Sequence, residues 1–295
     1  MGHCLQQLLP EGIDVDLVGG MSRRHAASKT YWRVILTIQA VVLVATVAQY
    51  ASPSEWGLIV VSVLVIAAPV GVYFLRLKAQ RLYSEGERLR RQLVLWDGLG
   101  KGAGADEARV LFRDEPSILG NLGPRNRESY FRSRLPFGWR RVAEIVQESA
   151  FYTGKLAQVA SLLYGAVVVI GTVIAVCGAV TALRLGLGGD GEAVPAVFSA
   201  LVVFFAAGTF ASFYSSYARL AAESQAVYER AGFIVNRPSL CVPDAVLVMA
   251  RYDCELAKAP PLPGWLHWLM RDGIDRAWRV GRKSAPGRKR RRPRK

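Results

Sequence analysis

Three histidines, His3, His25 and His267, and four cysteines, Cys4, Cys177, Cys241 and Cys254, are the residues through which this chain could ligate a metal or attack a substrate. Their spacing favours neither. No CxxC pair or Cys/His ladder occurs, so neither a zinc site nor a disulfide framework is expected, and the cysteines read as reduced structural residues. Asp114, Glu115, Glu144 and Glu148 supply carboxylates, but nothing in the sequence pairs them as acid and base. Asp253 and Asp275 read as helix-surface or hydrogen-bonding residues. The run Gly98-Leu99-Gly100-Lys101-Gly102-Ala103-Gly104 lacks the GK[ST] ending of a phosphate-binding loop and reads as a flexible linker. No catalytic residue, metal ligand or cofactor is assigned, and an enzyme is not expected.

Two other patterns bear on recognition. Arg125, Arg127, Tyr130, Phe131, Arg132, Arg134, Phe137, Trp139, Arg140 and Arg141 interleave aromatic rings with guanidinium groups. Such a stretch can stack on bases and grip phosphates, or lie on anionic headgroups, and the membrane surface is the reading favoured here. Within apolar sequence, Gly208, Ser212 and Ser216 recur every fourth residue, and Gly171, Ala175 and Ala179 do the same. Small stripes let helices approach closely or line a narrow aqueous path; close packing is the favoured reading.

The elements that carry these residues follow from how charge is distributed. The chain is 52% hydrophobic and yet has a net charge of +15. The two properties are segregated into uncharged runs and dense basic stretches, as in a membrane protein with basic cytoplasmic regions. Four runs, Val34 to Ala51, Gly57 to Leu75, about Leu156 to Leu183 and about Val194 to Ala218, contain no Asp, Glu, Lys or Arg. At ~1.5 Å per residue the first forms a helix of roughly 27 Å, close to the hydrocarbon thickness. One ionised residue at a span's centre would cost about 2.5–3.5 kcal/mol on insertion scales, so four such runs read as four transmembrane helices. Tyr31, Trp32, Tyr50, Trp56, Tyr73, Phe74, Tyr214 and Tyr217 flank them as headgroup-level anchors or as packing aromatics.

Lys and Arg set the expected orientation. The turns Ser52 to Trp56 and Arg184 to Ala193 are poor in basic residues, whereas Arg23, Arg24, Lys29 and Arg33, then Arg76, Lys78, Arg81, Arg88, Arg90 and Arg91, flank the other span ends. The positive-inside rule places both termini in the cytoplasm. The expected architecture is an all-α integral membrane protein with four transmembrane helices in two hairpins and helical cytoplasmic extensions. Its parts are a cytoplasmic segment (1–33), a first hairpin (34–75), a helical insert (76–155), a second hairpin (156–218), a helical C-terminal region (219–281) and a disordered basic tail (282–295). The N terminus departs from the myristoylation pattern at Gln6, and the first span reads as a retained anchor. Helices are expected to continue past the second span, with Leu82, Leu89, Leu93 and Trp96 on one stripe, and from Val142 through Ala157, Leu220 to Arg230, Pro243 to Leu256 and Trp265 to Val280.

Ser129-Tyr130-Phe131, followed by Ile145-Val146-Gln147-Glu148-Ser149-Ala150-Phe151-Tyr152, and then Tyr252 through Pro260, Pro263, Ile274-Asp275 and Trp278, carry a family resemblance. Over about residues 30 to 280 the chain resembles the SMODS-associated four-transmembrane effectors that accompany bacterial second-messenger nucleotide synthetases. It departs from that pattern at Asp275, where Asn is expected, and in its basic tail. The resemblance implies a bacterial inner-membrane protein of antiviral defence, which oligomerises and permeabilises the membrane when a nucleotide signal or an upstream signalling protein activates it. It brings no catalytic residues.

The expected partners are therefore the lipid bilayer, further copies of the chain as a homo-oligomer, a cyclic nucleotide or upstream protein, and anionic lipid through the basic segments, with no specific nucleic acid. The third and fourth spans would line the pore, and the Arg125–Arg141 patch, or else Trp265 to Trp278, would receive the signal. A non-conducting scaffold or accessory subunit is the rival reading. A transporter is less supported, because no intramembrane carboxylate or broken helix marks a substrate site.

Overall fold

The computed structural model describes residues 17–51, 55–100, 131–184, 201, 209–237, 239 and 241–284. Their regular structure is helical, with no strand among them. Among the described residues six helices follow one another: α1 (Leu17–Ala51), α2 (Glu55–Leu99), α3 (Trp139–Arg184), α4 (Thr209–Asn236), α5 (Val242–Lys258) and α6 (Gly264–Ser284).

α2 and α3, at 45 and 46 residues, are each roughly 70 Å long at ~1.5 Å per residue, about twice the thickness of a hydrocarbon core. Each therefore has an apolar half and a polar half on one axis. α2 carries Pro69 in its apolar half, a substitution that helices in lipid tolerate better than helices in water. α2 ends beside Gly100, whose φ of 101° suits glycine; it runs through Gly98, where the linker was expected to begin, and Lys101 to Gly104 lie outside the described residues. α5 opens with Pro243 in its first turn, Asp244 beside it and Lys258 in its last turn, each placed as the helix dipole and the missing proline N–H favour. It stops at Ala259, extended at φ −88° and ψ 149°, ahead of Pro260 and Pro261.

α1 and α2 pack antiparallel. Arg24 meets Glu85 at 3.3 Å, Ser28 Oγ donates to the Ala79 carbonyl at 2.8 Å, and the Lys78 ammonium lies 5.1 Å from the Tyr31 ring centre. α3 and α4 are antiparallel as well. A Cβ added to Gly154 would lie 3.3 Å from Ser224 Cβ, and one on Gly165 would lie 3.1 Å from Tyr214 Cδ2, so glycines set the closeness of this pair.

Among the described residues three helices are long and apolar enough to cross a membrane: Val18–Ala48, Glu55–Leu99 and Trp139–Thr181. Their apolar halves bury little. Trp56, Ile66, Val44, Val169 and Ile174 are exposed on them, a continuous band that water would penalise and lipid would not. Most of the run expected as a fourth span lies outside the described residues, as do Cys4 and the tail beyond Ser284.

The polar halves assemble into a body with its own core. Val142, Ile145, Val146 and Ala150 of α3 meet Leu220, Val227 and Ala231 of α4 and Val248, Tyr252 and Leu256 of α5, with Val94 of α2 and Phe131 sealing it. A smaller cluster, Leu156, Ala160, Phe213, Tyr217, Leu266 and Ile274, sits where body and apolar band meet, and Trp32 and Leu36 of α1 close over it. The expected helices are present with wider bounds. α4 is one helix from Thr209 through the stretch read as beginning at Leu220, and α6 continues past Arg282 to Ser284. Of the expected α2 stripe, Leu89 is buried, while Leu82, Leu93 and Trp96 are half-buried.

At Gly98 the α2 backbone touches α3: an added Cβ would lie 2.4 Å from Val142 Cγ2 and 3.2 Å from Val142 Cα. Alanine contributes about 1 kcal/mol more than glycine to an isolated helix, but overpacking a core costs about 1–3 kcal/mol. Gly98→Ala is thus expected to destabilise the protein in detergent, whereas Gly273→Ala, which meets open space, is expected to be neutral or stabilising. Denaturation monitored by circular dichroism checks both.

Candidate functional site

Several polar residues that join helices distant in sequence converge on the Arg90 guanidinium. Arg90 of α2 donates through Nε to Glu87 Oε2 at 2.5 Å and through Nη2 to Asp253 Oδ1 of α5 at 2.5 Å. Arg91 Nε reaches the other Asp253 oxygen at 2.8 Å. His25 of α1 places Nε2 3.2 Å from Glu87 Oε1. Arg90 also lies 5.0 Å from the ring centre of Tyr252, whose hydroxyl is 2.7 Å from Thr153 Oγ1 on α3. One cation thus joins α1, α2, α3 and α5. Gly86 permits it: a Cβ there would lie 2.4 Å from His25 Cδ2.

The electrostatics follow from burial. Desolvation opposes the charge on Glu87, but the Arg90 charge and the His25 contact overcome it and hold the carboxyl at about 2. Desolvation raises Asp253 above its ordinary value against the pull of Arg90 and Arg91, with Glu87 adding like charge. Two carboxylates competing for one guanidinium are pushed apart in this way. The arrangement holds helices together.

A second tie fastens α6. Arg132 donates to Asp275 Oδ2 at 2.7 Å and to the Tyr152 hydroxyl at 3.2 Å, and Tyr152 itself donates to Asp275. Glu148 accepts from the Arg132 backbone N–H at 3.2 Å, and Ser133 donates to Glu144 at 2.5 Å. Glu144 and Glu148, which the sequence does not pair as acid and base, thus anchor the segment that enters α3. Desolvation works against the Asp275 charge, yet its bonds from Arg132 and Tyr152 hold the carboxyl below its ordinary value.

The aromatic and basic patch is largely drawn into such ties. Arg141 pairs with Asp97 at 2.5 Å, donates to the Leu135 carbonyl and lies 4.8 Å from the Phe137 ring centre. Arg140 donates to the Arg237 carbonyl at 2.5 Å, and Trp139 packs on the main core. Arg134 is exposed. Arg125, Arg127 and Tyr130 lie outside the described residues.

Of the small stripes, Gly208 lies outside the described residues, Gly171 is half-buried and Ala175 is fully buried. Ser212 is exposed and Ser216 half-buried, and both face a cleft of about 90 Å³ together with Trp32, Arg76, Gln80 and Lys258, closed below by Pro260 and Pro261. The close approach of α3 to α4 falls instead on Gly154 and Gly165, which the sequence reading did not single out. Their spacing with Ala150, Ala157 and Ser161 was a signal in plain sight. Among the described residues no cluster of His, Cys, Asp and Glu is placed to hold a metal.

No protein-family model, curated protein or solved structure matches the chain.

Removing the shared cation leaves two carboxylates buried without it. Arg90→Met is expected to cost about 3–5 kcal/mol, read as a large fall in melting temperature in detergent. The Glu87 carboxyl, lowered from about 4.5 to about 2, contributes stability that is whole above about pH 4.5 and is lost as pH falls toward about 2. Melting temperatures between about pH 6 and about pH 3 are expected to fall less steeply in Glu87→Gln than in the native chain.

Proposed function

We propose that the chain is a membrane effector whose basic helical body, on the cytoplasmic face, receives a signal and transmits it to the spans, which assemble with further copies and permeabilise the bilayer. The observation that carries this reading is the continuity of α2 and α3. Each runs without a break from the body's core or its ion network into the apolar band. A rigid helix cannot shift at Val142 or Arg90 without moving its other end, so an event in the body reaches the membrane through backbone hydrogen bonds.

Four spans in two hairpins, with both termini cytoplasmic, complete the reading. Among the described residues α1 pairs antiparallel with α2 and α3 with α4, which supports two hairpins, and the positive-inside rule supplies the orientation. The exposed apolar band supports contact with lipid and with neighbouring copies. The resemblance to nucleotide-signalled effectors of bacterial defence supports an inner-membrane location and a cyclic nucleotide or upstream protein as the signal.

A non-conducting scaffold draws support from one observation. Gly154 and Gly165 are consumed in packing α3 on α4 within the chain, as an element built for rigidity would use them.

Inducible expression in bacteria with a membrane-potential dye separates the two. The effector reading predicts depolarisation when the native chain is co-expressed with a second-messenger nucleotide synthetase, and its loss in Arg90→Met at equal membrane level. Polarised membranes with the native chain, alone and with the synthetase, contradict it and favour the scaffold.

A further inference from the structure

The cleft between α1, α2 and α4 has a chemistry that the ties of the body do not use. Arg76 follows directly on the apolar half of α2 and lines the cleft, half-buried, with its guanidinium 5.9 Å from the Trp32 ring centre. Its Nη2 donates to Thr209 Oγ1 at 2.6 Å. No carboxylate among the described residues pairs with it, although Arg90, Arg91, Arg132 and Arg141 all have one. Arg76 Nε and the Trp32 indole N–H are both buried without a hydrogen-bond partner.

The other walls add donors and positive charge. Ser212 and Ser216 bring hydroxyls one helical turn apart, and Gln80 brings an amide. Lys258 contacts Glu255 at 2.6 Å, but that carboxylate is shared with Arg219 at 3.6 Å, so the trio stays net positive. No acidic residue lines the cleft among the described residues. A guanidinium, an ammonium and hydroxyl donors around about 90 Å³ match one ligand chemistry, a phosphate group.

The level of the cleft names the source. It sits where the uncharged sequence of α1 and α2 ends, at Trp32 and Arg76. The chain leaves it through Pro261 into α6, whose first turns expose Trp265, Trp268 and Leu269, with Trp268 at 80%. Exposed tryptophans at the edge of an apolar band mark the headgroup zone, where basic pockets between helices take anionic lipid.

We propose that this cleft binds the phosphate of an anionic glycerophospholipid from the leaflet on the body's side, with Arg76 as the principal contact, Lys258 as the second cation and Ser212 and Ser216 as hydroxyl donors. The site is independent of whether the spans conduct. A headgroup seated there would bridge α1, α2 and α4 at the junction of body and membrane.

Native mass spectrometry of the full-length protein released from detergent tests it. The probes are phosphatidylglycerol, diacylglycerol with the same acyl chains, and soluble glycerol phosphate. The native chain is expected to retain phosphatidylglycerol at least tenfold more tightly than diacylglycerol. Arg76→Gln should remove that preference. Lys258→Gln, at a solvent-facing position where folding is not at stake, should reduce it severalfold, and Arg88→Gln, an exposed cation outside both the cleft and the Arg125–Arg141 patch, should leave it intact. Saturable binding of glycerol phosphate with the same variant pattern would support the phosphate site and move its source to a soluble ligand. Equal retention of diacylglycerol, or a phosphatidylglycerol preference unchanged in both Arg76→Gln and Lys258→Gln, would overturn the proposal.

Discussion

Arg90 is a single cation shared by two buried carboxylates, and much of the body's order depends on that sharing. Charges taken out of water are expensive, and an ion pair repays the cost only when its geometry is good and its remaining hydrogen bonds are met. Here Glu87 and Asp253 occupy different nitrogens of one guanidinium, Arg91 takes the second Asp253 oxygen, and Tyr252 lies under the plane. The apolar core would tolerate small shifts of α5 against α2. The network does not, because each displaced bond leaves a charge in a place water reaches poorly. It specifies register where packing alone would be permissive.

That constraint shapes how the molecule meets a membrane. α2 is fixed at one end by the network, and α3 by the body's core and the Arg141–Asp97 pair. Both then run into an apolar band with little tertiary burial of its own. The stable end holds the loose end in position. Helices in lipid gain nothing from the hydrophobic effect on meeting one another, so their arrangement is set by close packing, by polar contacts and by whatever fixes their ends. The junction is the sensitive zone, where Trp32, Phe213, Tyr164 and Tyr217 stack edge-on and tilted beside the cationic cleft.

Much of this was legible from sequence, for a physical reason. Uncharged runs and helical periodicity are local properties, so the apolar halves of α1, α2 and α3 and the helix from Val142 that feeds the third apolar run could all be read directly. Pro260 and Pro261 announced the end of α5 in the same way. The ion network could not be read, because Arg90 and Asp253 are separated by 163 residues and nothing local marks either as a partner. The patch from Arg125 to Arg141 shows the converse. Interleaved Arg and aromatic residues look alike whether they face a ligand or their own fold, and Arg132, Arg140 and Arg141 turned out to serve the fold. The small-residue stripes were expected at Gly171, Ala175, Gly208, Ser212 and Ser216, whereas α3 uses Gly154 and Gly165 to approach α4.

The central claim is that the apolar halves of α1 and α2 cross a bilayer and leave the body on one side of it. Labelling with a membrane-impermeant maleimide tests that most directly. Glu55→Cys places a thiol at the start of α2, and Cys241 and Cys254 are exposed on the body. The account predicts that Glu55→Cys reacts in intact cells, and that Cys241 and Cys254 react only after the membrane is permeabilised. Labelling of the body cysteines in intact cells, or protection of Glu55→Cys on the same side as them, would contradict it.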